Sequence, residues 1–409
     1  MKVGLFNYSD NSGGAARATY RIHKSLLNEN IDSSLYVSKK TLTDKTIKTS
    51  PYFIDKILIK TKTKISSTIL KLYYQNDTNY RSIAFIPSSW PKFINNSHLD
   101  IVHLNWINAE MMSIEDIKKI SKPIVWTFHD MWPLLGDLHL NEVSNLPKIE
   151  SFDFKKKFKS IFDLDKWTYK RKKKNWIKPF NIVTPSKWLE NCVKNSEYMN
   201  EWPVTTIHHP VNTDFWKPIS KIEAKKILGL NPEKKIILYG ADGGTKSFNK
   251  GFDMLLNAIN LINFSNLNVH MCIFGDDNED LKLPIPYINF GYINDDTKLR
   301  LLYCAADVCI IPSRKESFCQ VALEAQSCGT PVISFSVGGL NDIIKHEETG
   351  FLAPNFDIER LALFIEKYLN NKYEYMEFNK RSRTRVERLF SKSSIAKKYI
   401  SLYDSIKLV

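Results

Sequence analysis

Short apolar, β-branched runs alternate with helix-spaced patterns along the whole chain. In the first half Val3–Asn7, Leu35–Val37, Ile101–Leu104, Ile124–Phe128 and Ile182–Thr184 read as strands. In the second half Ile236–Gly240, Val269–Gly275, Val308–Pro312 and Val332–Phe335 do so. None alternates strictly between apolar and polar positions, and such runs suit strands covered on both faces. Helical patterns lie between them, among them Ala18–Leu27 and Phe252–Leu261. The alternation predicts an α/β chain with parallel sheets. Pro203, Pro210 and Pro218 mark 203–218 as a linker, which leaves domains at 1–202 and 219–388. The last segment, 389–409, holds an amphipathic helix over Ser391–Ile406. No solenoid-type repeat or low-complexity tract interrupts this plan.

Length agrees with that division, because 409 residues exceed one ordinary core. Contents of 43% hydrophobic and 25% charged residues are those of a soluble globular protein. The opening Met1-Lys-Val-Gly-Leu-Phe-Asn7 reads as a strand, not a signal peptide, and no run of 18 apolar residues spans a bilayer. The six cysteines show no paired metal spacing and read as reduced core residues of a cytoplasmic protein. Charge is lopsided. Residues 1–200 hold 32 Lys and Arg against 19 Asp and Glu, whereas residues 201–409 hold 26 against 25. The basic excess therefore concerns the first domain's partner.

Candidate chemistry gathers at strand ends. Glu316-Ser-Phe-Cys-Gln-Val-Ala-Leu-Glu324 places two carboxylates around a helix start, the first in the entry loop and the second about two turns inside. At 1.5 Å per residue they lie about 12 Å apart or less, too far to share a proton but suited to the two ends of an extended nucleotide-sugar. The amides of Ser317, Phe318, Cys319 and Gln320 are expected to form a helix N-terminus that attracts phosphate. Upstream, the glycine-rich Tyr239–Phe252 loop carries Lys250 at a helix entry, either a diphosphate ligand or a solvated surface lysine. It lacks the ending of a P-loop. Gly13 and Gly14 sit at another strand-to-helix turn, where a plain tight turn is an equal reading. His129, at the end of Ile124–Phe128, could donate to a sugar or move a proton; the alternative is a histidine satisfied by Asp130. His103 reads as packed. Gly338-Gly339 supplies one more close-backbone loop.

Taken in order, these motifs resemble the GT-B glycosyltransferases of family 4, in the branch of bacterial exopolysaccharide and O-antigen (colanic-acid-type) transferases. The likeness is carried by Gly13-Gly14-Ala15, His129-Asp130-Met131-Trp132-Pro133, Thr184-Pro185-Ser186-Lys187-Trp188, Lys250-Gly251-Phe252, Glu316 to Glu324 with Cys328-Gly329-Thr330-Pro331-Val332, and Gly338-Gly339. The resemblance implies two Rossmann-like domains with parallel sheets facing across a cleft, the first binding acceptor, the second nucleotide-sugar, and a C-terminal helix crossing back to the first. It implies retaining, metal-independent transfer from a UDP- or GDP-sugar without a cofactor. Glu324 would then bind ribose, Glu316 the donor sugar, Lys250 the departing diphosphate, and Gly13 and Gly14 the phosphates. His129 would sit beside the transferred sugar, with Asp130 next to it.

The sequence departs from that pattern in three places. Ala241 and Asp242 stand where the family carries an arginine, which leaves Lys246 as its substitute or Lys250 alone. Cys319 replaces a glycine, and Leu134–His139 replaces a cysteine-rich loop. The basic segments 155–178 and 55–72 interleave lysines with apolar residues, which suits an anionic membrane surface and a lipid-linked or glycan acceptor, or else a solvated face. No nucleic-acid motif accompanies the charge. An epimerase or phosphorylase on the same fold, and a non-catalytic sugar- or lipid-binding scaffold, are the competing functions.

Overall fold

The computed structural model describes residues 1–75, 79–140, 163–276, 281–371 and 376–407. Two compact units compose it: Met1–Pro210 with Ile395–Val409, and Val211–Ser394.

The first unit holds seven parallel strands, β1 (Lys2–Ser9), β2 (Asp32–Lys39), β3 (Ile47–Thr49), β4 (Ile101–Leu104), β5 (Ile124–Thr127), β6 (Asn181–Thr184) and β7 (Val204–Thr206). Their order is β3-β2-β1-β4-β5-β6-β7. Successive side chains of a strand point to opposite faces. Val3, Leu5, Ile101, Val125 and Val183 therefore pack on one side with Ile395, Tyr399 and Tyr403 of the helix Lys392–Lys407. On the other side Phe6, Val102, Leu104, Trp126 and Ile182 meet Trp90, Trp132 and Trp176. Burial on both faces is why these strands read as unbroken apolar runs.

The second unit repeats the plan with six parallel strands, β8 (Lys235–Gly240), β9 (Val269–Phe274), β10 (Tyr287–Asn289), β11 (Val308–Ile311), β12 (Val332–Phe335) and β13 (Gly350–Ala353), ordered β10-β9-β8-β11-β12-β13. In each sheet the winding reverses once, between β1 and β4 and between β8 and β11. Ligands of open parallel sheets bind outside the strand carboxyl ends at such a reversal.

Of the four strands beyond those expected above, β13 is a short apolar run, whereas Ile47-Lys-Thr49, Val204-Thr-Thr206 and Tyr287-Ile-Asn289 escape the apolar-run criterion. All three are sheet edges, and β7 falls inside the stretch read as linker. An edge strand is short and part-solvated, so its residues need not be apolar. The helix after β1 also starts earlier than expected, at Gly14. Among the described residues no helix is long and apolar enough to cross a membrane.

Candidate active site

At the reversal of the second sheet, the chain leaves β8 through two tight turns. Gly244 has φ +51°, and a Cβ there would lie 2.3 Å from the Asp276 carboxylate. That carboxylate accepts from the Thr245 amide at 2.5 Å and hydroxyl at 2.8 Å, fixing the turn Gly244–Lys246. The second turn, Phe248–Lys250, ends at Gly251 with φ +68°, where a Cβ would meet the Pro312 carbonyl oxygen at 2.0 Å. Only glycine permits this approach, which brings Lys250 to the end of β11. Arg314 locks the junction. Its amide donates to the Asn249 carbonyl at 2.9 Å, and its guanidinium donates to the Phe248 carbonyl at 2.7 Å, lies 4.0 Å over the Phe248 ring and pairs with Asp253 at 2.5 Å.

These constraints bring Lys250 Nζ to 2.7 Å from Glu316 Oε1, which also accepts from the Ser313 hydroxyl at 3.0 Å. The Glu316 side chain is 8% exposed and that of Lys250 27%. Burial works against the charged ammonium, but the Glu316 carboxylate outweighs it and holds the Lys250 pKa above the ordinary lysine value. Gly338, at φ +52°, closes over the same point: a Cβ there would lie 1.8 Å from the Glu316 carbonyl oxygen. The next amide, of Gly339, donates to that oxygen at 2.9 Å. Gly338-Gly339 thus shapes the Glu316 backbone.

The following helix is Gln320–Ser327, capped by Cys319. Its first internal bond runs from the Leu323 amide to the Cys319 carbonyl. The first turn therefore opens at Gln320, not at Ser317, and Glu324 sits little more than one turn inside rather than two. Phe318 and Cys319 are buried side chains, and the Phe318 ring centroid lies 6.2 Å from that of Phe390. Glu324 is 2% exposed and accepts from the Tyr303 hydroxyl at 3.0 Å. Burial pushes the Tyr303 phenol pKa well up, and the neighbouring carboxylate adds to it, so Tyr303 stays a donor. Lys246 is exposed on its turn; the guanidinium brought to the loop is that of Arg314.

In the first unit Gly13, at φ +86°, leads into the helix Gly14–Asn28, and a Cβ at Gly13 or Gly14 would meet nothing within 4 Å. Gly13 is required by its dihedral, whereas Gly14 leaves open space. His129 Nε2 lies 3.0 Å from Asn105 Oδ1, and its ring is 5.0 Å from that of His209. Burial drives its pKa down to about 4 against the pull of Asp130, so the imidazole is neutral near pH 7. Asp130 is not its hydrogen-bond partner as the alternative reading expected. The Asp130 carboxylate accepts from the Trp132 amide at 2.9 Å and the Trp106 indole at 3.1 Å, and meets His139 Nδ1 at 2.6 Å. These bonds tie it into its own loop. His103 is packed as expected, between the Thr127 and Tyr403 hydroxyls at 2.7 Å each.

The basic segments divide. Lys155, Lys156, Lys157, Phe158, Lys159 and Phe162 lie outside the described residues. Lys172 is buried, donates to the carbonyls of Trp132, Leu135 and Gly136, and lies 3.7 Å from the Trp132 ring centroid. Arg171 pairs with Glu115 at 2.5 Å. These two charges are spent internally. The helix Phe53–Tyr73 instead exposes Phe53, Ile54, Ile57, Leu58, Ile65 and Leu72. Exposed Lys56, Lys60, Lys64 and Lys71 accompany them.

Arg314, Ser313, Tyr303, Asp276 and Asn105 were not singled out in the sequence. Arg314 stands two residues before Glu316 and was within reach of a loop argument; the others are brought in by topology alone. Among the described residues no three His, Cys, Asp or Glu side chains converge as a metal-ligand set.

Comparison with known proteins adds the family. Residues 12–215 match the model of Glycosyltransferase Family 4, and residues 220–385 that of Glycosyl transferases group 1. The chain belongs to the family 4/group 1 glycosyltransferases. Within this family it is 32% identical over 237 residues to an uncharacterized glycosyltransferase of Methanocaldococcus jannaschii, covering 54% of this chain and 59% of that protein. It is 27% identical over 265 residues to an uncharacterized 41.2 kDa protein in the cps region of Klebsiella pneumoniae, covering 61% of this chain and 72% of that one. Sucrose-phosphate synthase from Thermosynechococcus elongatus shares the fold with a TM-score of 0.70 and 20% identity, covering 99% of this chain and 98% of that one. Anabaena HepE in complex with UDP-glucose does so with a TM-score of 0.66 and 14% identity, over 99% and 100% of the two chains. The two domains are the Rossmann-like, parallel-sheet domains of the GT-B fold.

Proposed function

We propose that the protein is a retaining, metal-independent glycosyltransferase that moves a sugar from a UDP- or GDP-sugar to a lipid-linked or polysaccharide acceptor in bacterial surface-glycan synthesis. One observation carries the reading: the Lys250–Glu316 pair at 2.7 Å, set at the reversal of the second sheet one loop before the helix of Glu324. A buried-side carboxylate with a movable cation can exchange partners. A diphosphate arriving there offers Lys250 a stronger anion, and frees Glu316 to accept from hydroxyls of the donor sugar. In this reading Glu324, held by Tyr303, accepts from the ribose. Bond breaking puts charge on the departing diphosphate, and a fixed ammonium stabilises that charge more than it stabilises the ground state. The diphosphate oxygen then takes the acceptor proton on the same face of the sugar, which preserves anomeric configuration. Neutral His129 and the open Gly13-Gly14 turn are assigned to the acceptor side of the first domain.

Support from relatives is of two kinds. One GT-B neighbour is described in complex with UDP-glucose, and one relative lies in a cps region. The lipid-linked acceptor is supported by the helix Phe53–Tyr73, whose exposed apolar side chains and lysines match an anionic membrane surface. A thermal-shift screen against UDP-, GDP- and ADP-sugars, followed by a transfer assay with the sugar that binds, tests the assignment. Stabilisation by one nucleotide-sugar and transfer abolished in Glu316→Ala are expected. Unchanged turnover in both Glu316→Ala and Glu324→Ala would remove the assignment, and epimerised or phosphorolysed donor would move it to the competing chemistry.

A further inference from the structure

A groove of about 790 Å³ opens in the first unit where the chain enters β5 and β6. Buried Trp176 and Phe180 line it with Ile117, Ile120 and Ile406, and Ile177 joins them at 72% exposure. Its buried lining is fixed in advance. The Trp176 indole donates to the Ile114 carbonyl at 2.9 Å, and the Phe180 ring meets that of Trp202 edge-on at 4.6 Å. The same dipeptide enters both strands, Lys122-Pro123 before β5 and Lys178-Pro179 before β6. Proline holds the residue before it extended, which fixes where each lysine leaves the backbone. The two strands are paired neighbours, so these entries lie side by side.

The charge of this lining has one sign. Lys118, Lys122 and Lys178 belong to it, and no Asp or Glu does. Lys122 donates to the Leu99 carbonyl at 3.0 Å, an acceptor that leaves its charge uncompensated. Lys118 and Lys178 are exposed, and among the described residues neither has a carboxylate partner. Like charges gathered at one rim repel each other until an anion joins them.

We propose that this groove docks an acidic peptide segment of a partner protein. Apolar side chains of the segment rest on Trp176, Ile177 and Phe180, and its carboxylates meet the three lysines. A second copy of this chain is a poor occupant, because a two-fold contact through this face sets the same lysines against themselves. A membrane is a poor one for a topological reason. The apolar, lysine-bearing helix Phe53–Tyr73 is held by loops that follow β4 and β5. Its Thr63 hydroxyl donates to the Ala109 carbonyl at 3.0 Å, and the Tyr74 hydroxyl at its end donates to Asp137 at 2.7 Å. The groove is built instead by segments that precede β5 and β6. In a parallel sheet these are opposite ends, so a bilayer resting on that helix leaves the groove free. Gly13 and His129 also follow strand carboxyl ends, and docking does not depend on the transfer reaction.

The test selects phage-displayed peptides on the immobilised full-length protein and titrates the enriched sequences, resynthesised with a fluorescein label, by anisotropy. Enriched peptides should combine Asp or Glu with Leu, Phe or Trp. Their Kd should rise tenfold or more in Ile177→Asp and in the double variant Lys118→Glu, Lys178→Glu, with urea midpoints unchanged because all three side chains are exposed. Glu316→Ala and Ile57→Asp should bind as the unmodified protein does. An arm that needs no variant is hydrogen exchange, which should slow over residues 117–124 and 176–181 when peptide is added. No enriched sequence, enrichment without acidic residues, or protection confined to other segments would overturn the proposal. Loss of phosphatidylglycerol-vesicle binding in Ile177→Asp, equal to that in Ile57→Asp, would also overturn it, making the groove part of a lipid surface.

Discussion

Lys250 has an ordinary sequence context, a lysine after an asparagine, and acquires meaning from what its neighbours cannot be. Gly251 and Gly338 each sit where a Cβ would enter a carbonyl oxygen, so the Lys250–Glu316 contact is built by two glycines. Gly338→Ala should cost roughly 3 kcal/mol or more, from the left-handed dihedral and the displaced Glu316 backbone together. Denaturant unfolding would measure it, and a loss under 1 kcal/mol would show that the loop gives way cheaply. Lys250→Ala is expected to lower kcat by about 10²–10³ with a smaller change in KM, because its charge acts on the leaving group. Steady-state kinetics decide, and a pure KM effect would reduce Lys250 to a ground-state ligand. The carboxylates and the lysine were legible in the sequence because their spacing relative to strand ends is local. Tyr303 and Asp276 were not, since nothing near them in sequence says which strand ends they will face. The partner of Asp130 was not legible for the same reason: His139 is nine residues on and arrives through a loop.

Strands and helices were legible to the extent that both faces of a sheet are buried. Central strands had to be apolar throughout and showed themselves. The edges β3, β7 and β10 had no such requirement. Helix starts were less legible, because amide pairing and not composition decides them, as at Gln320. The helix Lys392–Lys407 covers one face of the first sheet, where Tyr403 satisfies His103. Tyr403→Phe should strand a buried ring nitrogen and cost about 1–3 kcal/mol, read from the urea midpoint; an unchanged midpoint would mean that water replaces the hydroxyl. The helix Phe53–Tyr73 makes a separate expectation. Ile57→Asp should weaken binding to phosphatidylglycerol vesicles by about tenfold or more, while neutral vesicles bind little in either case. Equal binding of both proteins in a sedimentation assay would remove this helix from any membrane contact.

For the molecule as a whole, the two units share a strand order but not a charge balance. The first also buries imidazoles: desolvation brings the pKa of His23 and His129 to about 4 and that of His103 to about 3. Each lies below its value in the unfolded chain, so the unfolded state binds the protons first as pH falls. Their contribution is complete above about pH 6.5 and is lost progressively toward pH 3. Urea midpoints should fall across that window, and a flat profile would contradict neutral burial. The central claim, however, is the exchange of partners at Lys250. Its most direct measurement is a crystal structure with the nucleotide-sugar that binds best. The expected result is diphosphate oxygen within ion-pair distance of Lys250 Nζ, ribose hydroxyls on Glu324 and sugar hydroxyls on Glu316. A ligand bound elsewhere, with Lys250 still closed on Glu316, would contradict the account.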